Sequence, residues 1–186
     1  MADDKPKRKK FIAPKVPRVP MRPGQETTFG VGMAHEKLVG RVAIEWARLE
    51  HMLNEILWSC LQLSFEDGRT LTGRADTTTR IALLRTIAPR HLTNEDKLEA
   101  LLVALDTIDA VRDDRNFIVH GSWGRIWPEG TPIAASFRAK SKPDEVTAET
   151  FTSGRMYNII ELIVTMREML VVFCEELDAS PDTLLK

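Results

Sequence analysis

The sequence predicts an all-α domain, a four-helix bundle over residues 31–180 with a small β-hairpin inserted before the last helix. Three observations support this fold class. Apolar residues recur at three- and four-residue steps in four separate segments, as expected for helices that bury one face. A short segment rich in tryptophan and glycine separates the third segment from the fourth. Hydrophobic residues make up 43% of the 186-residue chain, which is enough for the core of one domain.

The first predicted helix spans residues 33–63 and carries a regular apolar stripe. The stripe consists of Val39, Val42, Trp46, Leu49, Leu53, Ile56, Leu57 and Cys60. Residues 64–75 contain Gly68 and Gly73, and we expect them to form a loop.

Capping signals predict the next two helices. Asp76 is a suitable N-cap for a short helix that ends near Pro89, because proline seldom continues a helix. Thr93 is the expected N-cap of the third helix. This helix should run to about Val119 and stop at Gly121.

Residues 121–142 are predicted to contain the β-hairpin. Two short stretches, residues 123–127 and 133–137, flank a turn formed by Pro128-Glu129-Gly130. The last predicted helix covers residues 153–178 and is strongly apolar.

Residues 1–30 are predicted to be a disordered tail that is basic and rich in proline. Five prolines in residues 1–25 disfavour a helix. Residues 1–23 hold eight lysines and arginines against two aspartates, although the formal net charge of the chain is -1. The tail is either a solubilising spacer or an electrostatic tether for RNA or another polyanion.

The composition also restricts the cellular setting. Cys60 and Cys174 lie in apolar, helix-like segments, which predicts neither a disulfide framework nor a zinc cluster. No apolar run approaches the roughly 20 residues that a membrane span needs. We therefore expect a cytoplasmic protein that uses no membrane, metal ion or cofactor.

Polar residues interrupt the apolar stripe of the third predicted helix. Arg112 is expected near the centre of the stripe, and Asn116 follows it on the same side. Arg115 is expected toward one edge of the stripe and His120 toward the other.

One acidic residue of the first predicted helix is placed in a similar way. Glu50 lies between Trp46 and Leu53, close to the core side. Because a buried charge is costly unless it is paired, we expect Glu50 to meet Arg112 or Arg115. Such a pair is either a plain structural ion pair or a support that holds an arginine toward a phosphate.

Other chemistries find no support in the spacing of residues. The four histidines are scattered, and no histidines and carboxylates share one helix face as a metal cluster would require. No glycine-rich phosphate loop opens a helix after a strand, and no serine or cysteine occupies a nucleophile elbow.

The segment Arg115-Asn116-Phe117-Ile118-Val119-His120 resembles the signature of HEPN domains. In that signature an arginine is followed a few residues later by a histidine, and often directly by an asparagine. The position is also similar, because the segment closes a long helix of a four-helix layout before a variable insertion. By architecture the resemblance covers roughly residues 33–178, and by motif it covers this segment alone.

The resemblance implies a metal-independent endoribonuclease in which the RNA 2′-hydroxyl attacks the neighbouring phosphate. His120 would be the acid/base, because an imidazole moves protons near neutral pH. Arg115 would hold the phosphate, Asn116 would orient the site, and Glu50 and Arg112 would support it. HEPN enzymes usually join two copies in a twofold homodimer, and some belong to toxin–antitoxin or phage-defence systems with an antitoxin protein as partner.

The hairpin region offers a candidate RNA-binding surface. Arg125, Arg138 and Lys140 are basic, and Trp123 and Trp127 lie between or beside them. Packing of the hairpin onto the bundle is the simpler explanation for the two tryptophans.

Many HEPN-like domains are catalytically silent, so a non-catalytic helical dimer that binds a protein or RNA partner is the alternative hypothesis. The environment of His120 separates the two. A His120 that opens to a cleft beside Arg115 favours the enzyme, whereas a buried His120 satisfied by backbone carbonyls favours the scaffold.

Overall fold

A computed structural model describes residues 19–20, 27–126, 131–136 and 147–179. The described chain is mostly helical, as predicted, and it also forms one antiparallel sheet. The elements, in chain order, are β1 (Val19–Pro20), β2 (Thr27–Phe29), α1 (Met33–Leu61), α2 (Phe65–Thr72), α3 (Thr77–His91), α4 (Glu95–His120), β3 (Ser122–Ile126), β4 (Thr131–Ser136), β5 (Thr147–Thr150) and α5 (Ser153–Ala179).

The core lies among the four long helices. Helix α1 packs against α5, α3 and α4, and α4 also packs against α5 and α3. Burying such apolar side chains contributes about 1.5–3 kcal/mol each and is the main force that holds the helices together. The largest fully buried side chains are those of Trp46, Phe151, Leu49, Leu53, Ile56, Leu57, Ile81, Leu84, Leu101, Leu105, Ile108 and Ile118.

The prediction of a loop over residues 64–75 is wrong, because this segment contains helix α2. The Ser64 side chain accepts a hydrogen bond from the backbone N–H of Asp67 at 3.1 Å and so caps the helix. Gly68 does not break α2. It lets the helix approach α1, since a Cβ at this position would lie 2.5 Å from the indole of Trp58.

The predicted caps of α3 and α4 are partly correct. Asp76 caps α3 as predicted, with its Oδ1 accepting from the N–H of Thr79 at 2.8 Å. Helix α3 continues past Pro89 to His91, although Pro89 removes one backbone N–H from its last turn.

The N-cap of α4 is Asn94, one residue after the predicted Thr93. The Asn94 side chain accepts from the N–H of Lys97 at 3.0 Å. Gly121 ends α4 as predicted, with its N–H donating to the carbonyl of Phe117 at 2.9 Å. Its φ of -74° is an ordinary extended conformation, so the helix ends without a left-handed residue.

The sheet is larger than the predicted hairpin. Strands β3 and β4 pair antiparallel, and the full strand order is β1-β5-β4-β3-β2. Both edge strands come from the segment predicted to be a disordered tail, so that prediction is wrong for β1 and β2. Residues 1–18 and 21–26 of the predicted tail lie outside the described residues. Within the described ranges, no helix has the length and apolar character of a membrane span.

Candidate active site

The last turns of α4 bring Arg115 into contact with the other two candidate catalytic residues, Asn116 and His120. Arg115 Nη1 lies 3.2 Å from His120 Nε2 and donates to Asn116 Oδ1 at 3.0 Å. Residues five apart on a helix point about 140° away from each other, so the long arginine side chain makes this contact by reaching toward the helix end. His120 is exposed at the last position of α4.

The contact fixes the tautomer of the neutral His120 ring. A guanidinium has N–H donors and no acceptor, so His120 Nε2 must accept in this hydrogen bond. The proton of the neutral ring then sits on Nδ1. The lone pair of Nε2 accepts the hydrogen bond from Arg115, so Arg115 must release this nitrogen before it can take a proton from a substrate.

Arg115 also stacks on the core. Its guanidinium lies 5.4 Å from the centroid of the Trp46 ring, and Trp46 is only 1% exposed. Arg115 shares a face of α4 with Val111 and Ile118, both of which are buried. A cation over an indole face is held in place electrostatically, so the arginine is positioned before any ligand arrives.

The predicted placement of Arg112 at the centre of the buried stripe is wrong. Its side chain is 25% exposed and makes polar contacts at the α3–α4 edge, with Nη1 donating to Asp109 at 2.6 Å and to Thr78 at 3.0 Å. The stripe passes from Ile108 to Val111 in a three-residue step, which rotates Arg112 out of the core.

The predicted pairing of Glu50 with Arg112 or Arg115 is also wrong. Glu50 accepts from the indole N–H of Trp46 at 3.2 Å and from the Thr77 hydroxyl, and its Oε1 lies 3.7 Å from Arg80 Nη1. Its side chain is 25% exposed. Glu50 therefore connects to the Arg115 site only indirectly, through the shared Trp46 ring.

Trp123 anchors the end of α4. Its indole N–H donates to the carbonyl of Ile118 at 2.9 Å, which satisfies one of the terminal carbonyls that a helix leaves unpaired. Its ring contacts His35 and Phe151, with centroids 6.3 and 5.8 Å away. Trp123 thus packs the sheet onto the helices, whereas Trp127 lies outside the described residues.

Sequence reasoning missed Arg155 of α5, which forms ion pairs with residues of α4 and of the sheet. Its Nη2 lies 2.7 Å from Asp114 and 2.9 Å from Glu149, and its guanidinium is 4.1 Å from the Phe151 ring centroid. Burial raises the pKa of Asp114, and the nearby Arg155 opposes that rise. Nothing in the local spacing predicts this cluster, because its members come from three separate elements.

The buried charge of α1 is Glu45, which sequence reasoning also missed. Glu45 is 8% exposed, accepts from Arg48 at 3.0 Å and pairs with Arg167 of α5. The signal was present, since Glu45 continues the spacing of Val42 and Leu49 on the apolar stripe.

The structure describes only one of the three predicted RNA-binding residues. Arg125 is exposed on β3 and lies against the backbone of Gly32, just before α1. Arg138 and Lys140 lie outside the described residues. Among the residues that are described, no group of three or more histidines, cysteines and carboxylates is arranged to hold a metal ion. Comparisons with models of known protein families, with curated proteins and with solved structures gave no match.

Proposed function

We propose that the protein is a metal-independent endoribonuclease of the HEPN type, with its catalytic centre at the end of α4. The observation that carries the proposal is the contact between Arg115 Nη1 and His120 Nε2 at 3.2 Å. It places a guanidinium held over Trp46 beside an imidazole on one exposed surface. The alternative of a silent scaffold is less favoured, because it called for a buried His120 and this residue is exposed.

His120 and Arg115 divide the chemistry of RNA cleavage between them. An imidazole accepts the proton of the 2′-hydroxyl while the 2′-oxygen forms a bond to phosphorus. The bond from phosphorus to the 5′-oxygen breaks, and that oxygen takes a proton from an imidazolium. The products are a 2′,3′-cyclic phosphate and a 5′-hydroxyl. Arg115 balances the extra negative charge on the phosphate oxygens as it builds, and Asn116 holds Arg115 in place.

A homodimer completes the site in this proposal. One step of the reaction needs a base and the other an acid, and two copies of His120 can supply both at once. The ion pair between Arg155 and Asp114 places the first turns of α5 beside the last turns of α4. Tyr157, half-exposed on this part of α5, provides apolar area for a twofold contact through α4 and α5.

The test is cleavage of single-stranded RNA by purified protein in the presence of EDTA. We expect products that end in 2′,3′-cyclic phosphate. The protein must be free of co-purifying chains, because an antitoxin partner of the kind implied by a toxin–antitoxin system would silence an active enzyme. Absence of cleavage of every RNA by such protein contradicts the proposal.

A further inference from the structure

A cleft lies away from the Arg115–His120 site and plays no part in the chemistry above. It opens between α1, α2 and the start of α3 and has a volume of about 380 Å³. Its lining combines aromatic, cationic and amide side chains. The members that carry the argument are Asn54, Trp58, Phe65, Arg69 and Arg80.

An aromatic platform forms one wall of the cleft. Phe65 is 59% exposed, which is unusual for a large apolar ring in a chain with a well-filled core. It makes an edge-to-face contact with the buried Trp58, in which the ring centroids are 5.7 Å apart and the angle between the ring planes is 87°. Trp58 is itself fixed, because its indole N–H donates to the Thr72 hydroxyl at 3.2 Å and Gly68 packs directly on its ring. Phe65 therefore packs against a fixed Trp58, and most of its side chain is exposed next to the Arg69 guanidinium that lies over its ring.

Cations surround this platform. The Arg69 guanidinium is exposed and lies 5.6 Å from the Phe65 centroid. Arg80 forms the floor, where it donates to Asn54 at 2.7 Å and to the Thr72 carbonyl at 3.4 Å. Of the nearby carboxylates, Glu55 faces His51 at 3.4 Å and Glu50 faces Arg80, whereas Glu66 lies beside Phe65 and Arg69 in an adjoining depression.

An exposed aromatic face beside guanidinium groups matches the chemistry of an unpaired nucleotide. A base stacks on the ring with little dependence on its identity, and the arginine contacts the phosphate or the other base face. We propose that the cleft binds one unpaired nucleotide of a single-stranded RNA, with the base on Phe65 and the phosphate at Arg69.

The position of the cleft relates it to the Arg115 site. Trp46, Glu50, Asn54 and Trp58 follow one another at four-residue steps along α1, and each step turns about 40° around the helix. Trp46 supports Arg115 and Trp58 supports Phe65, and the twelve residue steps from Trp46 to Trp58 span about 18 Å of helix. A few nucleotides of single strand cover this span. The identity of the strand as the substrate rests on the proposed ribonuclease function.

Equilibrium binding tests the cleft separately from catalysis. Fluorescence anisotropy with labelled single-stranded RNA oligomers, in a His120→Ala background, measures affinity without cleavage. We expect Phe65→Ala to weaken binding by about tenfold for oligomers long enough to reach both sites. Arg69→Gln should weaken binding in the same way. Oligomers too short to reach both sites can occupy only one of them at a time, so the parent should bind them more weakly than the long oligomers.

Two matched variants serve as controls. Leu71→Ala removes an equally exposed apolar side chain from α2, and Arg90→Ala removes an exposed arginine from α3. Neither should change the affinity. Phe65→Leu keeps apolar bulk without an aromatic face, so equal loss in Phe65→Ala and Phe65→Leu, with unchanged melting temperatures, supports stacking.

The outcomes distinguish the two proposals. If binding depends on Phe65 but the protein that retains His120 cleaves no RNA, the ribonuclease proposal is wrong and the nucleotide-binding cleft is supported. Cleavage and oligomer binding that are both indifferent to Phe65 and Arg69 overturn the cleft and leave the ribonuclease standing. A nucleoside monophosphate that competes as well as the long oligomer would show a site for free nucleotide and would overturn the strand-binding proposal.

Discussion

Arg155 of α5 and Asp114 of α4 form an ion pair in which Arg155 Nη2 lies 2.7 Å from Asp114 Oδ1. Asp114 directly precedes Arg115 in the chain, so this pair fixes the turn that carries the proposed phosphate ligand. Arg155 is thus a positioning residue that links the candidate site to the sheet through Glu149 and Phe151.

The first prediction concerns the pH dependence of folding stability at Asp114. Burial raises the pKa of Asp114 above its ordinary value of 3.8, so the folded state binds this proton more tightly than the unfolded state does. The contribution of Asp114 to the free energy of unfolding therefore falls as the pH rises through the ordinary pKa and the raised one. Asparagine imitates the protonated carboxyl.

Asp114→Asn should accordingly gain stability relative to the parent as the pH increases from about 3 to about 7. Urea denaturation at several pH values measures the difference. Glu99→Gln, at an exposed position of α4, is the matched control for removing one carboxylate from the same helix. A flat difference for Asp114→Asn would mean that Arg155 fully offsets the cost of burial.

The second prediction concerns the residues at the end of α4. His120→Ala should abolish RNA cleavage without unfolding the protein, because this side chain is exposed. Arg115→Ala should slow cleavage by roughly 10²–10³-fold, the usual effect of losing one preorganised donor. Arg115→Lys should recover little of that rate, since a lysine cannot present the paired donors of a guanidinium. Cleavage that persists in His120→Ala would reveal a contaminating nuclease, and Arg90→Ala should retain full activity.

The third prediction concerns the proposed active site that two copies of the chain share in a homodimer. At a fixed concentration of the parent protein, an excess of the Arg115→Ala/His120→Ala double variant should form mixed dimers and suppress cleavage toward zero. Unchanged activity in demonstrated mixed dimers would mean that each Arg115–His120 pair works alone. Light scattering should find a dimer at micromolar concentration, and a monomer would remove the basis for a shared cleft.

The fourth prediction concerns the basic segment before α1. Deleting residues 1–23 should flatten the salt dependence of RNA binding, because each lost phosphate contact lowers the logarithmic slope by about 0.7 for single strands. The deletion also removes β1, so a second variant is needed. Glutamine in place of each lysine and arginine within residues 1–18 keeps the strand and should have a similar effect. An unchanged slope would identify the segment as a spacer.

The fifth prediction concerns the thiols. Burial raises the pKa of Cys60 to about 11 and, together with the nearby carboxylates of Glu55 and Asp178, raises that of Cys174 to about 12. Both are free thiols and hold almost no thiolate at neutral pH. Alkylation by iodoacetamide should therefore be slow in the folded protein and fast in denaturant, as measured by mass spectrometry. Rapid alkylation of Cys60 without denaturant would contradict the packing of α1.

The sequence predicts well those features that depend on local spacing. The four long helices follow from apolar periodicity, and Asp76 and Gly121 follow from capping chemistry. The contact between Arg115 and His120 also lies within one helix end, so a short motif is sufficient to suggest it.

Features that depend on distant packing escape such reasoning. Glu50 pairs with Arg80 of α3 rather than with an arginine of α4, because the rotation of α1 against its neighbours decides which charges meet. The Arg155 cluster unites residues from α4, β5 and α5, and only the folded chain brings them together. Helix α2 is different: Ser64 and Asp67 are a local capping signal, and the two glycines concealed it.

The order of the strands has a consequence for how the chain folds during synthesis. Val19 pairs with Ala148, and Thr27 pairs with Ile126. The strands that pair with β1 and β2 are therefore synthesised roughly 100 to 130 residues after them. Closing such long loops is slow, whereas helical turns form at once. We expect α1 to α4 to collapse first on the ribosome, with residues 19–29 unpaired until β3 and β5 emerge. In that interval the nascent chain would expose the backbone N–H and C=O groups of β1 and β2 that pair with β5 and β3 in the finished sheet.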